Sequence, residues 1–177
     1  MSSRTIALLH PGAMGAALGA CLVSRGHRVL WCSAGRSAAS AARAREARLE
    51  DALSLEMALG EAEIAISVCP PHNALELAQA VAEHKYGGLF IDANAVSPAT
   101  AREIEETVRA AGADFVDGGI IGLPPRKPGT TRLYLSGNRA AEAAALFAGS
   151  ALGAIALDGP PGAASGLKIC YAGWSRG

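Results

Sequence analysis

The chain has 177 residues; half are hydrophobic, 18% are charged, and 16 basic side chains balance 16 acidic ones. That apolar content suits one folded domain, or one domain and the start of another. Zero net charge leaves no electrostatic footprint for nucleic acid or an anionic membrane, and no apolar run is long enough to cross a bilayer.

The first apolar run, residues 5–9, has the length of a buried strand. The turn His10-Pro11-Gly12-Ala13-Met14-Gly15 follows, and an alanine-rich helix is expected from Ala13 to Arg25, stopped by Gly26. Residues 28–32 form a second strand. Strand, glycine turn, helix and strand at this spacing predict the first βαβ unit of a Rossmann-type α/β fold, with a doubly wound and mostly parallel sheet. In such a unit Gly12 lets the backbone approach a pyrophosphate, and Gly15, with Ala16 and Gly19, lets the helix lie tightly on the sheet. The N–H groups of the helix start, around Ala13 and Met14, and the positive end of its dipole then hold the phosphates. His10 replaces the first glycine of the usual G-x-G-x-x-G pattern.

The end of the second strand selects between dinucleotides. An NAD site usually places a carboxylate there for the ribose 2′-hydroxyl, whereas arginine accommodates a 2′-phosphate. No acidic residue occurs before Glu46, and Ser33, Gly35, Arg36 and Ser37 stand at the expected place. A guanidinium and hydroxyls bind phosphate through charge-assisted hydrogen bonds. The expected cofactor is therefore NADP.

Further along, helices are expected over residues 37–49 and 53–60, and a third strand over residues 63–69. That strand ends in Cys69, Pro70, Pro71 and His72, placed beside the adenine and ribose because ligands lie at the carboxyl ends of strands in this fold. His72 fits either a helix-capping or a proton-transfer role. A helix follows from about Asn73 to His84, then a strand at residues 89–92. Asn94 or Ser97 caps the next helix, with Pro98 at its first position. Asn94 also falls where the nicotinamide ribose is expected. Residues 114–121 form a strand with a glycine pair inside it, a sign of close approach by a ligand or another backbone. A proline-rich loop, a strand at 132–136, a helix at 139–147 and a strand near 155–157 complete the domain. The last helix, residues 162–174, is apolar on nearly all sides, as buried helices are. Lys168 lies within it, one of three lysines in the chain. Cys21, Cys32, Cys69 and Cys170 form no C-x-x-C pair and fall in apolar segments, so they are expected to be reduced thiols, with no metal site and a cytoplasmic location.

Together these motifs resemble the β-hydroxyacid dehydrogenases, the group of 6-phosphogluconate and 3-hydroxyisobutyrate dehydrogenases and the imine reductases, and within it a bacterial branch with a distinct C-terminal domain. The G-x-G-x-M-G motif is matched by Gly12, Met14 and Gly15. The substrate-loop motif D-A-P-V-S-G-G corresponds to Asp117-Gly118-Gly119-Ile120-Ile121-Gly122-Leu123, with Ile121 where the family has a serine and Gly129-Thr130 following. The motif around the family's acid/base lysine is matched by Gly162, Ala164 and Lys168, with Ala172 in place of an asparagine. The resemblance implies a catalytic Lys168, substrate contacts at Gly118, Gly119, Ile120 and Ile121, and hydride transfer to or from a small hydroxy or keto acid or an imine. It also implies an NADP-binding domain over residues 1–160, and at 161–177 the start of a helix leading into an all-helical domain that this chain lacks. A small-molecule substrate and a homodimer when full length are further expectations. The alternative is a non-catalytic NADP-binding module that needs a partner domain. A methyltransferase of similar fold is disfavoured by the missing acidic residue at the second strand.

Overall fold

The computed structural model describes residues 2–174. Eight strands form one sheet: β1 (Thr5–Leu8), β2 (Arg28–Trp31), β3 (Glu50–Asp51), β4 (Ile64–Ser67), β5 (Leu89–Asp92), β6 (Asp114–Ile121), β7 (Arg132–Ser136) and β8 (Gly153–Ala156). Their spatial order is β3-β2-β1-β4-β5-β6-β7-β8. The first six positions are parallel; β7 runs antiparallel to β6, and β8 is parallel to β7. Seven helices accompany it: α1 (Ala13–Ser24), α2 (Ala38–Glu46), α3 (Leu55–Glu61), α4 (Ala74–Glu83), α5 (Pro98–Ala110), α6 (Ala140–Ala145) and α7 (Ala163–Trp174). This is the expected doubly wound, Rossmann-like fold.

The central parallel strands β1, β2, β4 and β5 are buried on both faces, which is why they are largely apolar rather than alternating. Ile6, Leu8, Val29, Ile64, Ile66, Val116 and Leu133 face one core with Leu18 and Leu22 of α1 and Phe147 after α6. Ala7, Leu30, Ala65, Phe90 and Phe115 face the other with Val81 of α4 and Ile104 and Val108 of α5. The order reverses at β1, where α1 lies on one side and the chain returns to β4 on the other. In open α/β sheets ligands bind at the carboxyl ends of strands at such a reversal.

Several boundaries differ from those expected. Ser97, not Asn94, caps α5, its hydroxyl accepting from Thr100 N at 3.1 Å. Residues 71–73 form a short 3₁₀ turn before α4 rather than its first turn. The last strand begins at Gly153, two residues earlier than the apolar run suggested. α7 is the larger correction. Only Ala164 and Ser165 are buried in it, while Leu167, Ile169, Tyr171 and Trp174 are exposed. Its first turns lie on β6 and β7, and nothing among the described residues covers its outer side. The end of the expected 161–177 segment, residues 175–177, lies outside the described residues.

Candidate active site

At the end of β1 the chain turns so that Gly12 stands before α1 with extended backbone (φ −67°, ψ −176°), and its carbonyl accepts from Ala16 N at 2.8 Å. A side chain on Gly12 would meet nothing within 4 Å, whereas one on Gly15 would collide with the carbonyl of His10. The two glycines therefore do different work. Gly15 lets α1 close onto the turn, and Gly12 keeps open the space in front of the helix start. That opening, beside N–H groups that by helix geometry have no intrahelical partner, fits a phosphate group.

Arg36 does not face outward from the end of β2. Its guanidinium folds back onto the glycine turn, donating through Nη1 to His10 Nε2 at 2.6 Å and through Nη2 to the Leu9 carbonyl at 3.1 Å. Arginine can only donate, so His10 Nε2 accepts and its proton resides on Nδ1. Burial, and then the charge of Arg36, hold the imidazole below the usual histidine range and keep it neutral. His10 Nδ1 and Arg36 Nε are both shielded from solvent and have no hydrogen-bond partner among the described residues.

Ser33 and Ser37 flank this arginine. Ser37 caps α2 by accepting from Ser40 N at 3.2 Å. Ser33 N donates to Asp51 Oδ1 at 3.2 Å, and the same oxygen accepts from Leu53 N at 2.8 Å. The sheet thus brings a carboxylate from β3 to the end of β2, which the first 45 residues do not contain. Arg43 of α2 also reaches the turn, donating through Nε to the Pro11 carbonyl at 3.0 Å. With Ala13, Ala16 and Ala17 of α1 and with residues 124–126 it lines an open groove of about 510 Å³. Neither Asp51 nor Arg43 was singled out from sequence, because each comes from an element beyond the βαβ signature.

Past β4 and β5 the polar residues face inward. Asn94 is buried; its Nδ2 donates to Ser67 Oγ at 2.8 Å and Asp92 Oδ1 at 2.5 Å, and its Oδ1 accepts from Cys69 N at 2.6 Å. Its amide thus ties the two strand ends together and is engaged within the protein, where a ribose contact was expected. Asp92 is fully buried, and its Oδ2 has no partner among the described residues. Burial pushes its carboxyl up to about 7, and Asp117, its register partner on β6, adds to the rise. Cys69 is half-buried and burial raises its thiol, so it is no activated nucleophile. Pro70 and Pro71 are exposed at the rim.

The glycine pair of β6 marks backbone approach. A Cβ on Gly118 would meet the Asp92 carbonyl at 3.0 Å; one on Gly119 would meet the Ala164 carbonyl at 2.7 Å and Lys168 Cβ at 3.0 Å. Gly118 and Gly119, expected at the substrate, let β5 and α7 close against β6. Ile120 is buried too; Ile121, half-buried, is the one of the four nearest solvent at the strand's carboxyl end. Asp117, deep in β6, accepts at Oδ2 from Gly162 N and Ser165 N, both at 2.9 Å, and from Ser136 Oγ at 3.2 Å. Ser136 Oγ in turn accepts from Ala164 N at 3.1 Å. Two strand side chains therefore cap α7. Further along that helix, Lys168 Nζ donates to the Ile120 carbonyl. Burial holds this amine below the usual lysine range. The amine is thus brought to the sheet edge that also carries the open helix start.

This fold and this edge define a Rossmann-type dinucleotide-binding domain. Residues 5–154 match the family of the NAD binding domain of 6-phosphogluconate dehydrogenase, and the chain belongs to that family. Among solved structures, a conserved protein of unknown function described as structurally similar to 3-hydroxyacid dehydrogenases is 27% identical, with a TM-score of 0.84 over 97% of this chain and 64% of its own. A conserved hypothetical protein from Sinorhizobium meliloti is 24% identical, with a TM-score of 0.81 over 97% of this chain and 59% of its own. The 3-hydroxyisobutyrate dehydrogenase of Mycobacterium tuberculosis is 24% identical, with a TM-score of 0.77 over 96% of this chain and 59% of its own. The chain thus spans about three-fifths of the length of these structures. Among curated proteins nothing matches it. Among the described residues no helix is long and apolar enough to cross a membrane, and no cluster of three metal-ligating side chains occurs.

Proposed function

We propose that the chain is the cofactor-binding part of an NADP-dependent oxidoreductase of the β-hydroxyacid dehydrogenase type, acting on a small hydroxy or keto acid or an imine. One observation carries this reading: a half-buried lysine amine and an open glycine turn at a helix start share one edge of the sheet. The Gly12 to Gly15 turn would hold the pyrophosphate, and Ser33, Arg36 and Ser37 the ribose phosphate. When bound, nicotinamide supplies or accepts the hydride. Lys168 would give a proton to the substrate oxygen or nitrogen on reduction and remove it on oxidation, and the Ile120 carbonyl would hold the amine in place between those events. A positioned acid/base group contributes roughly 10²–10⁴-fold to rate. Small-molecule substrate would lie past Ile121, and a second copy or a further domain would cover the outer side of α7 in a homodimer.

Two observations favour other readings. Asp51 at the end of β2 suits the ribose hydroxyls of NAD. The exposed side of α7 suits a module that binds cofactor without turnover until another domain closes over it. Titration with NADPH and NADH, followed by fluorescence, tests the cofactor. NADPH should bind more tightly, and Arg36→Ala should weaken it by ~10-fold or more, the value of one charge-assisted contact. Preference for NADH, or indifference to Arg36→Ala, would assign the selector to Asp51.

A further inference from the structure

We infer that His10 tempers the cofactor selectivity that Arg36 confers: it latches the guanidinium onto the glycine turn, and a 2′-phosphate must draw it out by offering it a better partner. The inference rests on the NADP reading above and adds a residue to it. In the arrangement seen here, both terminal nitrogens of Arg36 point back along the chain, one to His10 Nε2 and one to the Leu9 carbonyl. Neither acceptor carries a charge. The latch is also incomplete, because it leaves His10 Nδ1–H and Arg36 Nε buried without partners among the described residues. A buried donor without an acceptor is destabilising. The closed position is therefore held by two neutral acceptors and weakened by two orphaned donors.

A phosphate changes that balance. It accepts in bidentate fashion from a guanidinium, with charge on both sides, and such bonds are roughly twice as strong as those to neutral acceptors. The ribose hydroxyl of NAD offers no such exchange, and for it the latch stays shut. Where the common pattern has glycine, no side chain would hold the arginine. The histidine thus sets a cost in the free state that NADPH must meet and NADH does not, which narrows the preference for NADPH without His10 itself meeting the ligand.

The test is a thermodynamic cycle in the full chain, using NADPH and NADH as probes. His10→Ala removes the ring, and His10→Phe keeps its bulk while removing Nε2. Both should tighten NADPH roughly ten-fold, the value of one hydrogen bond from a charged donor, and leave NADH within about two-fold. In an Arg36→Ala background the same substitutions should change NADPH affinity by no more than about two-fold. A second measurement needs no variant: ¹⁵N resonances of His10 should show Nε2 as the acceptor in the free chain, and NADPH but not NADH should shift that resonance. Weaker or unchanged NADPH binding in both His10 variants, with the wild type still preferring NADPH, overturns the latch and leaves the NADP reading standing. An Nε2 resonance that stays fixed at saturating NADPH does the same. A wild type that holds both cofactors equally, whatever stands at position 36, overturns both.

Discussion

Asp117 on β6 and Ser165 on α7 are joined twice, the carboxylate accepting from both the backbone N–H and the hydroxyl of the serine. Gly162 N and Ser136 Oγ bond to the same carboxylate, so one buried side chain fixes the start of the helix that carries Lys168. Asp117→Ala would leave two backbone N–H groups and two hydroxyls without this acceptor inside the protein. Each buried group left so costs ~1–3 kcal/mol, partly recovered by relaxation. We expect a loss of about 3–5 kcal/mol in urea unfolding, with amide exchange in α7 accelerated more than in α1. Equal acceleration in both helices would show that Asp117 supports the core at large rather than α7.

Much of this arrangement is legible in the sequence, and the rest is hidden for definite reasons. The glycine turn, α1, β5, and α5 behind Ser97-Pro98 follow from local chemistry: caps, breakers and apolar runs of the right length. β3 does not, because Glu50 and Asp51 are exposed charges that become a strand only by pairing with Leu30 and Trp31. With β3 goes Asp51, a carboxylate at the end of β2 drawn from 18 residues further along the chain. Arg36 was legible at the end of β2, but its inward direction depends on a histidine 26 residues earlier. In the same way Asn94 was found at the right strand end, while its engagement by Ser67, Asp92 and Cys69 is a property of two strands meeting. Position along the chain was visible; side-chain direction was set by partners distant in sequence.

The two kinds of glycine can be separated by substitution. Gly12→Ala adds a methyl group to open space at a φ that alanine adopts readily, so stability should change by no more than ~0.5 kcal/mol. Its effect should fall on NADPH, whose affinity is expected to drop by ~10-fold or more if the opening holds phosphate. Gly119→Ala should do the reverse in kind, forcing α7 away from β6 at a cost of ~1–3 kcal/mol. Urea unfolding and NADPH titration of both variants check the pair. Loss of stability in Gly12→Ala, or none in Gly119→Ala, would contradict the assignments.

Asp92 makes stability depend on pH. Its folded-state pKa is raised from 3.8 to about 7, so the native state keeps a proton that the unfolded chain has already lost. Stability from this group is therefore fully present below about pH 4 and is lost as pH rises towards 7, at up to ~1.4 kcal/mol per pH unit. Asp92→Asn mimics the neutral carboxyl in shape and retains an acceptor for Asn94. It should flatten the slope between pH 4 and 7 and exceed the wild type in stability above pH 7. Urea unfolding at several pH values measures both, and the difference between the proteins isolates Asp92 from the histidines. An identical slope in the two would mean that the carboxyl is ionised in the native state.

Lys168 allows a direct check on the acid/base assignment without a known substrate. Burial alone accounts for its lowered pKa, since no charged neighbour contributes to the shift. The chain has three lysines, Lys85, Lys127 and Lys168, so reductive methylation with ¹³C gives few signals to resolve, and Lys168→Arg identifies its own by loss. We expect the Lys168 methyl resonance to titrate below the ordinary lysine value of ~10.4. If packing of α7 against β6 is the cause, freeing that helix should reverse the effect, and in Asp117→Ala the midpoint should return towards the ordinary value. A wild-type midpoint at the ordinary value would remove the physical basis for an amine that exchanges its proton more readily than a solvated one. A low midpoint that survives in Asp117→Ala would place its origin in the Ile120 strand end rather than in the capped helix.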